Sequence, residues 1–193
     1  MRIIAGTWRS RRLLYPTGAP TRPIPDRVKE SVFSILGSLY ECPGTLPGLH
    51  IADVFAGSGS LGLEALSRGA ADCCFFESNR SALAILRKNV DTLGASARCT
   101  ILTGDAWASA TLDPRGSPFD LVTLDPPYRD SADASSNGPV RKFLAKIAER
   151  DDNRPLVVLH HAANVRYVFE DRDSWKVFDE RLMGSNRVTF LRR

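Results

Sequence analysis

The stretch Leu49-His50-Ile51-Ala52-Asp53-Val54-Phe55-Ala56-Gly57-Ser58-Gly59-Ser60-Leu61-Gly62 decides the fold. Its first seven residues read as a short buried strand, and the glycine-rich turn leads into a helix ending near Gly69. A strand feeding a glycine turn and then a helix lets backbone N–H groups approach a ligand with no Cβ in the way. Gly57, Gly59 and Gly62 satisfy GxGxxG, and Glu77 lies about 20 residues on, where an acid can accept both hydroxyls of a ribose. The turn alone does not separate a dinucleotide from S-adenosylmethionine, since both carry an adenosine, and a purely structural tight turn has the same spacing.

Working outward, strand and helix alternate. Cys73–Glu77 is the second strand, and a helix from Arg80 to Leu93 stops at Gly94. Cys99–Leu102 is a third strand and Phe119–Leu124 a fourth. A helix over 140–149 and a strand over Leu156–His160 follow. Trp175–Leu182 and Val188–Leu191, around Gly184-Ser185-Asn186, read as an antiparallel hairpin. The pattern predicts an α/β, doubly wound, mostly parallel sheet. Upstream, Ile3-Ile4 and Leu13-Leu14-Tyr15 suggest a hairpin over 1–16, and four prolines make 16–25 an extended connector. Asp26 can cap a helix carrying Val28, Val32, Ile35, Leu36 and Leu39 at helical period.

The 193 residues are 43% hydrophobic and 25% charged, a globular composition that excludes disorder, collagen and coiled coil as readings of the whole. No apolar run reaches a membrane span, the N-terminus lacks the pattern of a signal peptide, and Cys42, Cys73, Cys74 and Cys99 show no CxxC spacing. A reducing, cytoplasmic setting is expected. The net charge of +4 is concentrated. Residues 1–36 hold seven basic side chains (Arg2, Arg9, Arg11, Arg12, Arg22, Arg27, Lys29) against Asp26 and Glu30, a net of +5, so the remainder carries −1. Localised basicity suits a phosphate backbone, although a solvated basic arm has the same signature.

A second motif, Asp125-Pro126-Pro127-Tyr128, follows the fourth strand. In a doubly wound sheet that strand neighbours the first, so both motifs are expected at one crevice. The proline pair fixes the turn and gives up its N–H donors. That leaves the Asp125 carboxylate and a backbone carbonyl as acceptors beside a flat Tyr128 ring, a match for an exocyclic amine on a planar base. The paired motifs resemble class I S-adenosylmethionine-dependent amino-group methyltransferases. More narrowly, Gly6-x-Trp8-Arg9, Arg22-Pro23, Asp26-Arg27-Val28-Lys29-Glu30 with Phe33, and Phe55–Gly59 continuing as Leu61-Gly62-Leu63-Glu64-Ala65-Leu66-Ser67-Arg68-Gly69-Ala70 resemble RsmD-type ribosomal RNA methyltransferases. The resemblance is dense from residue 1 to about 128. It departs at Ile24, where Thr is expected, and at the Ser/Asp-rich loop 130–138.

The resemblance implies methylation of guanine N2, at guanine 966, in 16S rRNA, with the subunit assembly particle as setting and the enzyme a monomer. It implies a basic extension over 1–40 that binds RNA through Arg9, Arg11, Arg12, Arg22 and Arg27, and a methyltransferase domain over 41–193. It implies S-adenosylmethionine along the carboxyl ends of strands one to three. Asp53 would face the methionine ammonium, Glu77 would hold the ribose, and Asp105 would accept from the adenine amine. Phe55, Ala56, Gly57, Ser58, Gly59 and Ala106 would line the cofactor, while Asp125, Pro126, Pro127 and Tyr128 would hold the target amine. His50 opens the first strand, and His160 and His161 end the fifth without a Cys or acidic partner at ligand spacing, so no metal and no histidine site are expected. Trp8 is a stacking candidate. Methylation of adenine N6 or a protein amine, an NAD-dependent reductase and a non-catalytic RNA-binding module stay open as alternatives.

Overall fold

Pro25 sets where the first helix begins. In the computed structural model, which describes residues 1–16, 24–108, 118–150 and 154–193, α1 spans Asp26–Leu39. Pro25 is its N-cap, at φ −61° and ψ 144°, and no side chain caps the helix. This corrects the expected Asp26 cap: proline presets the extended entry. Asp26 instead lies in the first turn, where its charge suits the positive helix end, and it pairs with Arg2 at 3.3 Å. Val28, Val32, Phe33 and Leu36 form the buried stripe.

The chain comprises two units, Met1–Ala106 and Trp107–Arg193. In the first, β1 (His50–Val54), α2 (Ser60–Ser67), β2 (Asp72–Glu77), α3 (Arg80–Thr92) and β3 (Cys99–Thr103) alternate. The strands are parallel in the order β3-β2-β1, with Asp53 opposite Phe75 and Glu77 opposite Thr103. A parallel strand covered on both faces needs a continuous apolar run, and Cys73-Cys74-Phe75-Phe76 supplies one, fully buried. Among the strand ends, Phe55 departs from expectation: at φ 63° it has left β1 and begins the turn. All four cysteines are free thiols. Burial pushes the Cys73 thiol well up and Cys99 to about 12, so both are unreactive packing groups.

Residues 1–16 make a hairpin with one bridge, Arg2 to Arg12. The Ile3 N–H donates to the Arg11 carbonyl at 3.0 Å and the Ser10 N–H to the Ile3 carbonyl at 2.9 Å, while Ile3 and Leu13 are buried. Gly6, at φ 82°, passes so close to α2 that a Cβ would sit 1.8 Å from the Ser67 carbonyl oxygen. No other residue fits there.

The second unit contains β4 (Leu121–Leu124), α4 (Tyr128–Ser131), α5 (Pro139–Arg150), β5 (Leu156–Ala162), β6 (Lys176–Met183) and β7 (Asn186–Arg192). Strand order is β4-β5-β7-β6; β4 and β5 are parallel, and β7 is antiparallel to both neighbours. The α/β class, the mostly parallel strands and the antiparallel C-terminal hairpin agree with expectation. α4 was not anticipated. It forms because the Pro127 carbonyl accepts from the Asp130 and Ser131 N–H groups at 2.9 and 3.1 Å. Among the described residues no helix is long and apolar enough to cross a membrane.

Candidate active site

In the first unit the glycine turn is built by three positive-φ residues, Phe55, Gly57 (φ 57°) and Gly59 (φ 81°). The Gly59 N–H donates to the Ala56 carbonyl at 2.7 Å, and Ala56 in turn donates to the Phe76 carbonyl at 2.9 Å, tying the turn to β2. A Cβ on Gly59 would lie 2.4 Å from the Leu86 side chain; one on Gly62 would lie 2.4 Å from the Phe75 ring. These two glycines let α2 and α3 close on the sheet. Gly57 differs, since a Cβ there would meet nothing within 4 Å. Its backbone faces open space, which a bound molecule can approach, and the site's fit to an adenosine-bearing cofactor rests on that.

Two carboxylates frame the turn. Asp53 is buried at the end of β1 and its Oδ2 accepts from the Gly62 N–H at 2.9 Å. It therefore does the capping that Gly59, the N-cap of α2, cannot do. Glu77 ends β2 and accepts three backbone N–H groups: Gly57 at 2.7 Å on Oε2, and Ser78 and Asn79 at 2.9 and 2.7 Å on Oε1. This grip orients an anionic acceptor at the end of β2. Ala106 is buried just after the exposed Asp105. Ser58 is buried, and its carbonyl accepts from Asn89 Nδ2 at 2.9 Å.

Asn89 went unnoticed in the sequence. Its amide also pairs with both backbone groups of Leu14, donating to the carbonyl at 3.0 Å and accepting from the N–H at 2.9 Å. One buried asparagine thus fastens the N-terminal hairpin to the glycine turn. Glu64 is a second missed residue. Fully buried, it accepts from the Ile4 and Ala5 N–H groups at 2.7 and 3.0 Å and from Arg68 Nε at 2.8 Å, and it lies 3.6 Å from Lys29 Nζ. Burial lowers the Lys29 pKa, and Glu64 opposes that shift. Of the expected RNA-contacting residues, Arg9, Arg11, Arg12 and Arg27 are exposed and Arg22 lies outside the described residues. Trp8, the stacking candidate, carries the Arg98 guanidinium 5.1 Å from its ring centre, so one face is covered.

In the second unit Asp125-Pro126-Pro127-Tyr128 leaves the end of β4. α4 takes up the Pro127 carbonyl, which leaves Pro126 as the other proline of the turn that carries a carbonyl acceptor. The Tyr128 ring is 48% exposed, so a planar partner can reach it. Asp125 is not alone. Its Oδ1 lies 2.7 Å from Nδ1 of buried His160, whose Nε2 lies 3.0 Å from Asn186 Oδ1. The Tyr128 hydroxyl donates to the same Asn186 oxygen at 3.1 Å. The sequence offers His160 no acidic partner at ligand spacing, but β5 places it beside the β4 loop, 35 residues away in sequence. Burial pulls the His160 pKa down, but the Asp125 charge and the hydrogen bonds to Asp125 and Asn186 outweigh it and raise the value. Next along β5, His161 is buried and held near 4. Among the described residues no cluster of His, Cys, Asp and Glu could hold a metal.

Against known proteins, the chain matches the family described as Conserved hypothetical protein 95 over residues 1–192. It is 37% identical to Bacillus subtilis YlbH across 131 residues, 67% of this chain and 68% of that protein. It is 39% identical to the Escherichia coli ribosomal RNA small subunit methyltransferase D across 129 residues, 67% of this chain and 61% of that protein. The chain thus spans about two thirds of the length of these curated relatives. The solved structure of Escherichia coli yhhF shares the fold at a TM-score of 0.78 and 29% identity, over 100% of this chain and 97% of that one.

Proposed function

The chain belongs to the Conserved hypothetical protein 95 family, that of the RsmD-type enzymes, and from that membership we propose that it methylates ribosomal RNA of the small subunit with S-adenosylmethionine. The target we assign is the N2 amine of a guanine, guanine 966 by family resemblance. The observation that carries this reading is the exposed Tyr128 ring beside an Asp125 carboxylate fixed by His160. A stacking face next to a fixed acceptor suits a flipped base with an exocyclic amine.

Glu77 is the ribose acceptor and the Gly57–Gly59 backbone the floor of the cofactor site, with Asp53 and Asp105 at the methionine and adenine ends. When bound, the cofactor supplies an electrophilic methyl group on a sulfonium, so the protein needs little acid–base chemistry. The nucleophile is the difficulty, because guanine N2 delocalises its lone pair into the ring. Asp125 and the Pro126 carbonyl accept hydrogen bonds from its two N–H groups and favour a pyramidal nitrogen. Preorganised acceptors of this kind contribute on the order of several kcal/mol. The N-terminal segment 1–40 is the RNA-binding extension, with Arg9, Arg11, Arg12, Arg22 and Arg27 contacting phosphates.

Methyl transfer to unmodified small-subunit rRNA, followed by nucleoside analysis, tests the reading. N2-methylguanosine is the expected product, and N6-methyladenosine would replace it with the adenine alternative. Asp125→Ala should lower the rate about 10²-fold or more with cofactor affinity kept, whereas Glu77→Ala should weaken cofactor binding and change the saturated rate less. Near-wild-type turnover by Asp125→Ala sinks the assignment.

A further inference from the structure

We infer that His160 is the positioning residue of the Asp125 carboxylate and that Asn186, at the start of β7, sets its protonation; this rests on the proposed role of Asp125. His160 stands between two oxygen atoms. Nδ1 faces Asp125 Oδ1 at 2.7 Å and Nε2 faces Asn186 Oδ1 at 3.0 Å. The Asn186 amide is oriented by its own donation from Nδ2 to the Met183 carbonyl at 3.3 Å, so its oxygen is the atom turned to the ring. With an acceptor on each nitrogen, the form that satisfies both is the doubly protonated imidazolium. The Tyr128 hydroxyl donates to the same oxygen, at 3.1 Å, so one amide steadies the histidine and the stacking ring together.

The consequence concerns Asp125. A buried cation on Oδ1 fixes the carboxylate plane, leaving Oδ2 to accept from the target amine. The titratable or charged groups around the ring are Asp125 from the β4 loop, Tyr128 from α4 (ring centres 6.3 Å apart), His161 on β5 and Arg187 on β7. Arg187 is turned to the Ala163 carbonyl and Glu180, and His161 is held neutral by burial. Asp125 is thus the acidic partner that retains the proton. As pH rises through the raised His160 value, Nε2 loses its proton, two acceptors then face each other, and the grip on Asp125 and Tyr128 loosens.

Two measurements test this. Imidazole 15N shifts of the intact protein should show both His160 nitrogens protonated at neutral pH, titrating above the ordinary 6.5, and titrating lower in Asp125→Asn. Methyl transfer to unmodified small-subunit rRNA at saturating cofactor should show kcat falling on the alkaline side. His160→Gln should lower kcat about tenfold, keep KM for RNA within about threefold and abolish that alkaline limb. Asn186→Ala should move the limb to lower pH. If Asp125→Ala retains turnover, the role of Asp125 fails and this inference with it. If Asp125→Ala is inactive while folded His160→Gln keeps wild-type kcat and pH profile, His160 only packs and the inference alone is overturned. Should His160→Gln not fold, an unmoved limb in Asn186→Ala overturns it equally.

Discussion

In the first unit Asp53, Glu77 and Glu64 all take backbone N–H groups, from Gly62, from Gly57, Ser78 and Asn79, and from Ile4 and Ala5. In the second, Asp125 is held by a side chain, His160, itself held by another, Asn186. Backbone donors do not titrate, so the first arrangement is set once by the fold. A histidine does titrate between pH 5 and 8, so the second answers to pH. The first unit should behave as a rigid half and the second as a tunable one.

The sharpest attack on the rigid half is Glu64→Ala. It strands Lys29 and Arg68 as buried cations and leaves two N–H groups unmet, a loss of about 3–5 kcal/mol. Urea unfolding should show a large fall in midpoint. An unchanged midpoint would mean that the hairpin and α1 contribute nothing through this cluster.

The tunable half is tested next through His161, whose Nδ1 lies 3.2 Å from the Ala162 carbonyl oxygen and whose Nε2 lies 2.9 Å from the Thr189 hydroxyl. Its folded pKa of about 4 lies below the ordinary 6.5, first through burial. Neutral His161 therefore contributes stability that is complete above about pH 6.5 and is lost as pH falls toward about 4, about 3 kcal/mol in all. His160 has the opposite sign: its raised value contributes stability at acid pH that is lost as pH rises through the folded value. Unfolding free energies between pH 4 and 7.5 should show a shallower acid slope in His161→Gln than in wild type. Superimposable slopes would remove His161 from the acid response.

Much of this was readable beforehand where the signal is local. The GxGxxG spacing located the turn, and the structure adds why each glycine is needed: Gly59 and Gly62 for packing, Gly57 for an open approach. Period-two and period-3.6 patterns placed the strands and long helices to within a few residues. What escaped is contact across sequence. His160 and Asn186 meet Asp125 only through strand order and register, and no spacing rule joins positions 125, 160 and 186. Glu64 and Asn89 sit within helices among ordinary polar residues; only tertiary packing reveals that they fasten the N-terminal hairpin. The short α4 was hidden because two prolines read as a turn, although Pro127 fits a helix start.

The smallest effect expected concerns the N-terminal segment, where the same contrast between buried and exposed charge recurs. Lys29 is buried and structural, with Nζ donating to the Arg2 carbonyl at 2.6 Å, whereas Arg9, Arg11 and Arg12 are exposed. The Arg11 guanidinium donates to the Thr92 carbonyl at 3.0 Å, a surface contact of little consequence for stability. Phosphate contacts add affinity almost regardless of sequence and make it depend on salt, with a slope near 0.7 per phosphate on a single strand. Replacing Arg9, Arg11 and Arg12 together with Ala should therefore weaken RNA binding and reduce the slope of log affinity against log salt by about 2. The melting temperature and cofactor affinity should hardly move, because Glu64, Asn89 and Gly6 anchor the hairpin without these side chains. A folded triple variant with the wild-type salt slope would refute the RNA role. A large loss of thermal stability would show instead that these arginines belong with Lys29, as structural charges rather than contacts for a phosphate backbone.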